Sequence, residues 1–191
     1  MRHLALDVIQ DEHRALSAML RSMGLLVAQA RREGHAPDFD VLRAMLFYVD
    51  EFPERLHHPK ESALLFPTLR QRCPALAATL DRLDAEHARG EAAIRQLEHS
   101  LLAYEVLGAA RQAAFEQALD GYINGYLHHM AVEEAEVLPA ARSTLTAADW
   151  AVLDSAFASN RDPLTGHDAD DVFKPLFRKI LMTAPAPVGL G

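Results

Sequence analysis

His57-His58-Pro59-Lys60-Glu61-Ser62-Ala63-Leu64-Leu65-Phe66-Pro67 and His129-Met130-Ala131-Val132-Glu133-Glu134-Ala135-Glu136-Val137-Leu138-Pro139 share one pattern: a His, a Glu four residues later, and a Pro six residues after that Glu. Four residues is just over one turn of α-helix, so each His and its Glu leave the same face. Each stretch is preceded, one helix earlier, by a Glu-His pair, Glu12-His13 and Glu86-His87. A helical hairpin therefore occurs twice, carrying 13, 57 and 61 and then 87, 129 and 133.

Working outward, the chain from residue 3 to about 142 is dominated by Ala, Leu, Glu, Arg and Gln, all strong helix formers. Apolar residues recur every three or four positions, as in Leu6, Ile9, Leu16 and Leu20, or Leu76, Leu80, Leu83, Ile94 and Leu97. Gly34 to Asp38 reads as a loop ending in an Asp cap. Pro74 reads as a first helical residue, and Gly108 as a joint. The punctuation predicts four helices, about 3–33, 38–70, 74–107 and 109–142. The second is expected to be kinked or broken, since Pro53 and Pro59 lie inside it. Short loops make neighbours antiparallel, so the expected fold is all-α, an up-down-up-down four-helix bundle over residues 1–142.

Residues 143–191 read as a helical extension. Thr146 and Asp149 suggest a capping box before Trp150, Leu153 and Phe157; Asn160 to Gly166 reads as a turn. Phe173, Phe177 and Ile180 mark a last helix, and the Ala-Pro-Ala-Pro tail is expected to be extended, surface-bound or mobile. The extension is expected to pack on the bundle or help a second subunit dock, with no chemistry of its own.

In antiparallel helices, residues equidistant from a tight turn share a level. The midpoint of 13 and 57 is 35, that of 57 and 87 is 72, and that of 87 and 129 is 108, each at a predicted joint. Four imidazoles from four helices are thus expected in one cross-section, on the inner apolar stripes. Such a layer is costly to bury unless satisfied, carboxylates above all. A bound cation satisfies it most simply. His13, His57, Glu61, His87, His129 and Glu133 are the candidate metal ligands. One zinc ion is usually content with four ligands, whereas six divide into two sets of two His and one carboxylate, a set associated with non-haem iron. Manganese and zinc remain alternatives. The plainer alternative is a helical scaffold with hydrogen-bonded core histidines.

Of the remaining histidines, His58 and His128 lie about 100° round the helix from the candidate ligands and read as outer-layer or surface residues, with a shifted register as the alternative. His3, His35, His99 and His167 read as surface or loop residues. Tyr122 and Tyr126 read either as core or as hydrogen-bonding near the site, and Glu12, Glu86 and Glu134 as solvated. The ten histidines accompany a formal charge of −8, which argues against a nucleic-acid partner. The single Cys73 allows no intramolecular disulfide and no paired-cysteine zinc site. An early run of charge speaks against a signal peptide, and no apolar run reaches membrane-spanning length, so the expected location is the cytoplasm and no membrane partner is expected.

His13, His57-x-x-x-Glu61, His87 and His129-x-x-x-Glu133, with Leu65-Phe66-Pro67 and Val137-Leu138-Pro139 after each Glu, resemble the hemerythrin HHE cation-binding family, and the tail is similar to that of a bacterial hemerythrin-like subgroup. The resemblance implies a four-helix bundle around an oxo- or hydroxo-bridged di-iron centre that binds or senses oxygen, responds to nitric oxide or peroxide, or serves iron–sulfur repair. Oxygen carriers of that family have a further His four residues after the third-helix His, where this chain has Glu91. That departure counts against reversible oxygen carriage and leaves one metal more open or carboxylate-ligated. The leading expectation is a di-iron protein that binds or reacts with oxygen, nitric oxide or peroxide at an open iron position. The second is an iron-sensing, iron-handling or repair module whose output is a metal-dependent change in stability or partner contact. A second copy of the chain is a candidate partner.

Overall fold

Asp38, Pro74 and Gly108 mark the joints between the long helices. The computed structural model describes residues 3–190, and among them helices are the only regular secondary structure. Helix α1, Leu4–Glu33, stops at Gly34, whose φ of 73° lets its N–H turn back to the Ala30 and Arg31 carbonyls. Asp38 caps α2, Phe39–Val49, by accepting the Val41 N–H at 3.0 Å. Pro74–Leu76 form a 3₁₀ turn that opens α5, Ala77–Leu107. Gly108, at φ 74°, opens another 3₁₀ turn, Gly108–Arg111, ahead of α6, Gln112–Val132.

The second rod was expected to kink or break at its prolines, and its α-helix is interrupted there by wide π-helical turns. After α2 it runs through a π-helical turn π1, Asp50–His57, then α3, His58–Lys60, π2, Glu61–Leu65, and α4, Phe66–Arg72. The same widening follows α6, where π3, Glu133–Val137, leads into α7, Leu138–Thr144. The repeated prolines suggest the cause. Pro67 and Pro139 have no N–H to give the carbonyl four residues back, and their rings crowd it. The preceding residues bond one step further instead, Phe66 N–H to the Glu61 carbonyl and Leu138 N–H to the Glu133 carbonyl. Each repeat thus begins a wide turn at its Glu.

Helix α8, Ala147–Phe157, carries the expected Thr146–Asp149 capping box, and a 3₁₀ turn at Pro163–Thr165 precedes α9, Lys174–Thr183. Helix α1 packs against α6 and α8, α2 against α5 and α9, and α5 against α6. The described part of the tail, to Leu190, folds back and is not extended. Ala184 is buried, Ser22 Oγ donates to the Pro185 carbonyl at 2.8 Å, and Leu190 N–H returns to the Leu181 carbonyl at 2.9 Å.

Two apolar clusters fill the interior. One holds Leu16, Met19, Leu20, Leu42, Met45, Tyr48, Phe52, Ile94, Phe115, Leu119 and Phe177. The other holds Leu6, Ile9, Leu65, Phe66, Leu80, Leu83, Val137, Leu138, Trp150 and Phe157. Along every long rod the candidate ligands fall between members of the two clusters. A polar layer therefore divides the core. No described helix is long and apolar enough to cross a membrane.

Candidate metal centre

The structure brings all six sequence-predicted residues together in that layer. Glu61 Oε2 lies 3.2 Å from His57 Nε2 and 3.6 Å from His87 Nε2. Glu133 Oε2 lies 3.3 Å from His13 Nε2, and its Oε1 lies 3.3 Å from His129 Nε2 and 3.9 Å from His87 Nε2. His87 and His129 approach through their Nε2 atoms at 2.9 Å. Each Glu thus faces imidazoles from more than one rod. Donor atoms of His13, His57 and Glu61 lie within 4.8 Å of one another, as do those of Glu61, His87, His129 and Glu133.

Most of these close approaches are not hydrogen bonds. His13 Nε2, His57 Nε2 and all four carboxylate oxygens of Glu61 and Glu133 are buried without a hydrogen-bond partner. Leaving a buried polar atom unpaired costs about 1–3 kcal/mol, and more if it is charged. Inward-facing imidazole nitrogens and carboxylate oxygens, lone pairs converging in a dry layer, fit a divalent cation.

The outward nitrogens are all held. Glu12 Oε2 lies 2.7 Å from His57 Nδ1, Ser62 Oγ 2.9 Å from His87 Nδ1, Glu86 Oε2 2.8 Å from His129 Nδ1, and Glu134 Oε1 3.1 Å from His13 Nδ1. Each of these holders is the sequence neighbour of a candidate ligand on one rod and grips the imidazole of the next rod, in a closed ring. Such outer contacts fix the ring orientation and leave Nε2 as the donor. The sequence reading had Glu12, Glu86 and Glu134 as solvated; Glu134 is exposed and Glu86 part exposed, whereas Glu12 is buried, and all three hold an imidazole. A residue next to an inward-facing one points about 100° away, toward the neighbouring rod, so the Glu-His pairs carried the signal.

The C-terminal extension also reaches the site, against the expectation that it has no chemistry of its own. Asn160 Nδ2 donates to both carboxylate oxygens of Glu12, at 2.8 and 2.9 Å. Lys60 Nζ donates to Ser159 Oγ at 2.8 Å and also to Asn160 Oδ1. Tyr48 donates to Asp162 Oδ2 at 2.6 Å. Glu54, on π1 and facing α6, accepts from Tyr122 at 3.2 Å and from Tyr126, and lies 3.2 Å from His58 Nδ1. Both tyrosines therefore hydrogen-bond beside the site. His58 is buried, not superficial, while His128, His35, His99 and His167 are exposed. His3 is largely covered by stacking on Trp150 at 4.0 Å. Glu91 is exposed and ion-paired with Arg95, so it does not complete the site.

Charge in the metal-free layer follows the same contacts. Burial disfavours the cationic form of His57, yet the Glu61 charge and the Glu12 hydrogen bond raise its pKa well above the usual value. His129 is pushed up to about 9, because Glu133 and Glu86 outweigh its burial. His13 is raised by Glu133 and Glu134 against its burial. Burial, with His58 and His129 nearby, drives His87 down to about 2, and burial beside His57 and His129 lowers His58 as well. Burial and the neighbouring Glu133 push Glu61 up, whereas His129 and His13 hold Glu133 well down in spite of burial. Burial raises Glu54 to about 7, against the Tyr122 hydrogen bond.

Two cavities adjoin the layer. A small one of about 10 Å³, room for one water-sized molecule, lies against His13 and His57 and is lined by Leu16, Phe52 and Met130. A wider one of about 290 Å³ opens between α5 and α6, over His87 and His129, where Gly90, Ala93, Gly121 and Gly125 leave space. The family model of the hemerythrin HHE cation binding domain matches residues 4–141. The chain belongs to the hemerythrin family. No match was found among curated proteins or among solved structures. Membership implies cation binding, the His and Glu groups of the layer could hold a metal, and the match spans every rod that feeds it.

Proposed function

We propose that this hemerythrin-family chain is a non-haem di-iron protein that binds or reacts with a small oxidant, oxygen, nitric oxide or peroxide. In this reading residues 1–142 form an up-down-up-down four-helix bundle and 143–191 a helical extension. His13, His57, Glu61, His87, His129 and Glu133 hold two ions. The observation that carries the proposal is the set of buried donor atoms with no hydrogen-bond partner, contributed by His13, His57, Glu61 and Glu133 beside His87 and His129. Two carboxylates set among imidazoles of different rods suit a pair of ions better than one, and this mixed nitrogen and oxygen donor set suits iron, with manganese or zinc as the alternatives.

When bound, the iron pair supplies one-electron redox chemistry and an open position for a small molecule. The chain supplies the rest. Glu61 and Glu133, each facing imidazoles of more than one rod, would supply the carboxylate ligands to both ions. Glu12, Ser62, Glu86 and Glu134 orient the imidazoles and raise their basicity. Leu16, Phe52 and Met130 give the small cavity an apolar wall beside Glu12, His13, His57, His58 and Asp162. Glu54, with Tyr122 and Tyr126, stands where a proton can be held beside His58.

The test is optical. Iron-loaded protein mixed with nitric oxide or with peroxide is expected to change its visible spectrum within seconds; an inert spectrum with both would overturn the proposal. One observation favours an iron-sensing or iron-handling module instead, namely the link from His57 through Glu12 and Asn160 to the extension. Under that reading the metal changes melting temperature or oligomeric state while the optical spectrum ignores the oxidants.

A further inference from the structure

We infer that His58 is a seventh ligand, a third imidazole for the ion held by His87 and His129; the inference rests on the di-metal reading above. The expectation from the helical wheel placed His58 away from the layer. The structure places it inside, only 5% exposed, with its ring 4.3 Å from that of His87 and tilted 17° from it. Ring nitrogens of His58, His87 and His129 lie within 4.8 Å of one another. Two nitrogens about 2.1 Å from one ion at right angles are about 3 Å apart, as His87 Nε2 and His129 Nε2 already are at 2.9 Å.

His58 also has the outer contact that marks the other imidazoles. Its Nδ1 faces Glu54 Oε2 at 3.2 Å, leaving Nε2 as the donor, as Glu12 does for His57 and Glu86 for His129. Glu54 is itself fixed by Tyr122 and Tyr126. It sits so close to α5 that a Cβ at Gly90 would overlap Glu54 Oε2 and stand 2.7 Å from the Tyr126 hydroxyl. The widened turn π1 ends at His57 and is closed by the His58 N–H bonding back to the Pro53 carbonyl. It brings two consecutive imidazoles to the layer from one rod. His57 then faces His13, at 5.2 Å between rings, and His58 faces His87. The two ions become unequal. The His87 side gains a third imidazole, while the His13–His57 side keeps two and faces the small cavity.

The experiment loads the full chain with ferrous iron under anaerobic conditions and records paramagnetic proton NMR, in which each ligating imidazole with Nδ1–H gives one hyperfine-shifted, solvent-exchangeable signal. Five such signals are expected, falling to four in His58→Gln and staying five in His128→Gln. The His58→Gln variant is expected to keep both binding sites, with the second ion held about ten- to a hundredfold more weakly. Four signals in the unaltered protein, or five in His58→Gln, would overturn the inference. The count in the unaltered protein stands even if the variant fails to fold. Failure of the di-metal reading would look different: the unaltered chain would not bind two ferrous ions at all.

Discussion

The two halves of the layer are built from the same motif but finished differently. Around His57, the extension closes the outside: Asn160 clamps Glu12, Lys60 ties down the loop that bears Asn160, and Asp162 takes the Tyr48 hydroxyl. Around His87 and His129, small residues on α5 and α6 leave a cavity, and Glu86 at its wall is part exposed. The repeated pattern brings the candidate ligands to one level, while the residues around it decide how each side is covered. On the His57 side the cavity beside His13 is small, about 10 Å³.

Breaking the motif itself should have the largest effect. Glu133→Ala removes a carboxylate that faces His13, His87 and His129, so bound iron should fall to trace by elemental analysis. His99→Ala, at an exposed position, should leave the metal content unaltered. Full occupancy in Glu133→Ala would remove that carboxylate from the ligand set.

Acidity should act nearly as strongly, and on both halves. The Glu61 charge and the Glu12 hydrogen bond raise the folded value of His57 in spite of burial, and Glu133 with Glu86 raise that of His129 to about 9. Iron needs both nitrogens unprotonated, so loading must displace protons from them, and affinity should fall as pH drops below about 9. A titration calorimeter should find proton release on iron binding and a loss of roughly tenfold or more in affinity per pH unit between 8 and 6. Affinity independent of pH would contradict the ligand roles of both residues.

Opening the covered half should cost less. Asn160→Ala leaves buried Glu12 without two hydrogen bonds, at a cost of about 1–3 kcal/mol in denaturant unfolding, and loosens the grip on His57. Iron affinity should drop about tenfold with both sites still present. An unchanged affinity would show that the extension is packing alone.

On the open half, the smallest effects should differ in sign. Gly125→Ala meets nothing within 4 Å, so helix propensity should add about 0.5–1 kcal/mol to stability. Gly90→Ala should lower stability, since its methyl would displace Glu54. Thermal melts of the two variants check both, and equal shifts would deny that Glu54 is tightly placed.

Much of this was legible in the sequence because helices have a fixed period. His57 and Glu61, and His129 and Glu133, had to share a face, and Gly34–Pro37, Cys73-Pro74 and Gly108 put four histidines at one level. What escaped lies where the period fails or where contact is non-local. Pro53 and Pro59 pointed to distortion of the second rod but not to its kind; wide π-helical turns interrupt the α-helix, and with that the 100° step that separated His58 from the layer no longer applies. Asn160 and Asp162 stand in a turn about a hundred residues from the motif they support, and no periodicity marks them. Glu12, Glu86 and Glu134 were visible as neighbours of the motif, yet their partners are on other rods.

The most direct test is iron stoichiometry joined to Mössbauer spectroscopy on protein purified from its native host. Two irons per chain in two distinct environments are expected. A single mononuclear ion, or none, would contradict a pair of metals held between these rods.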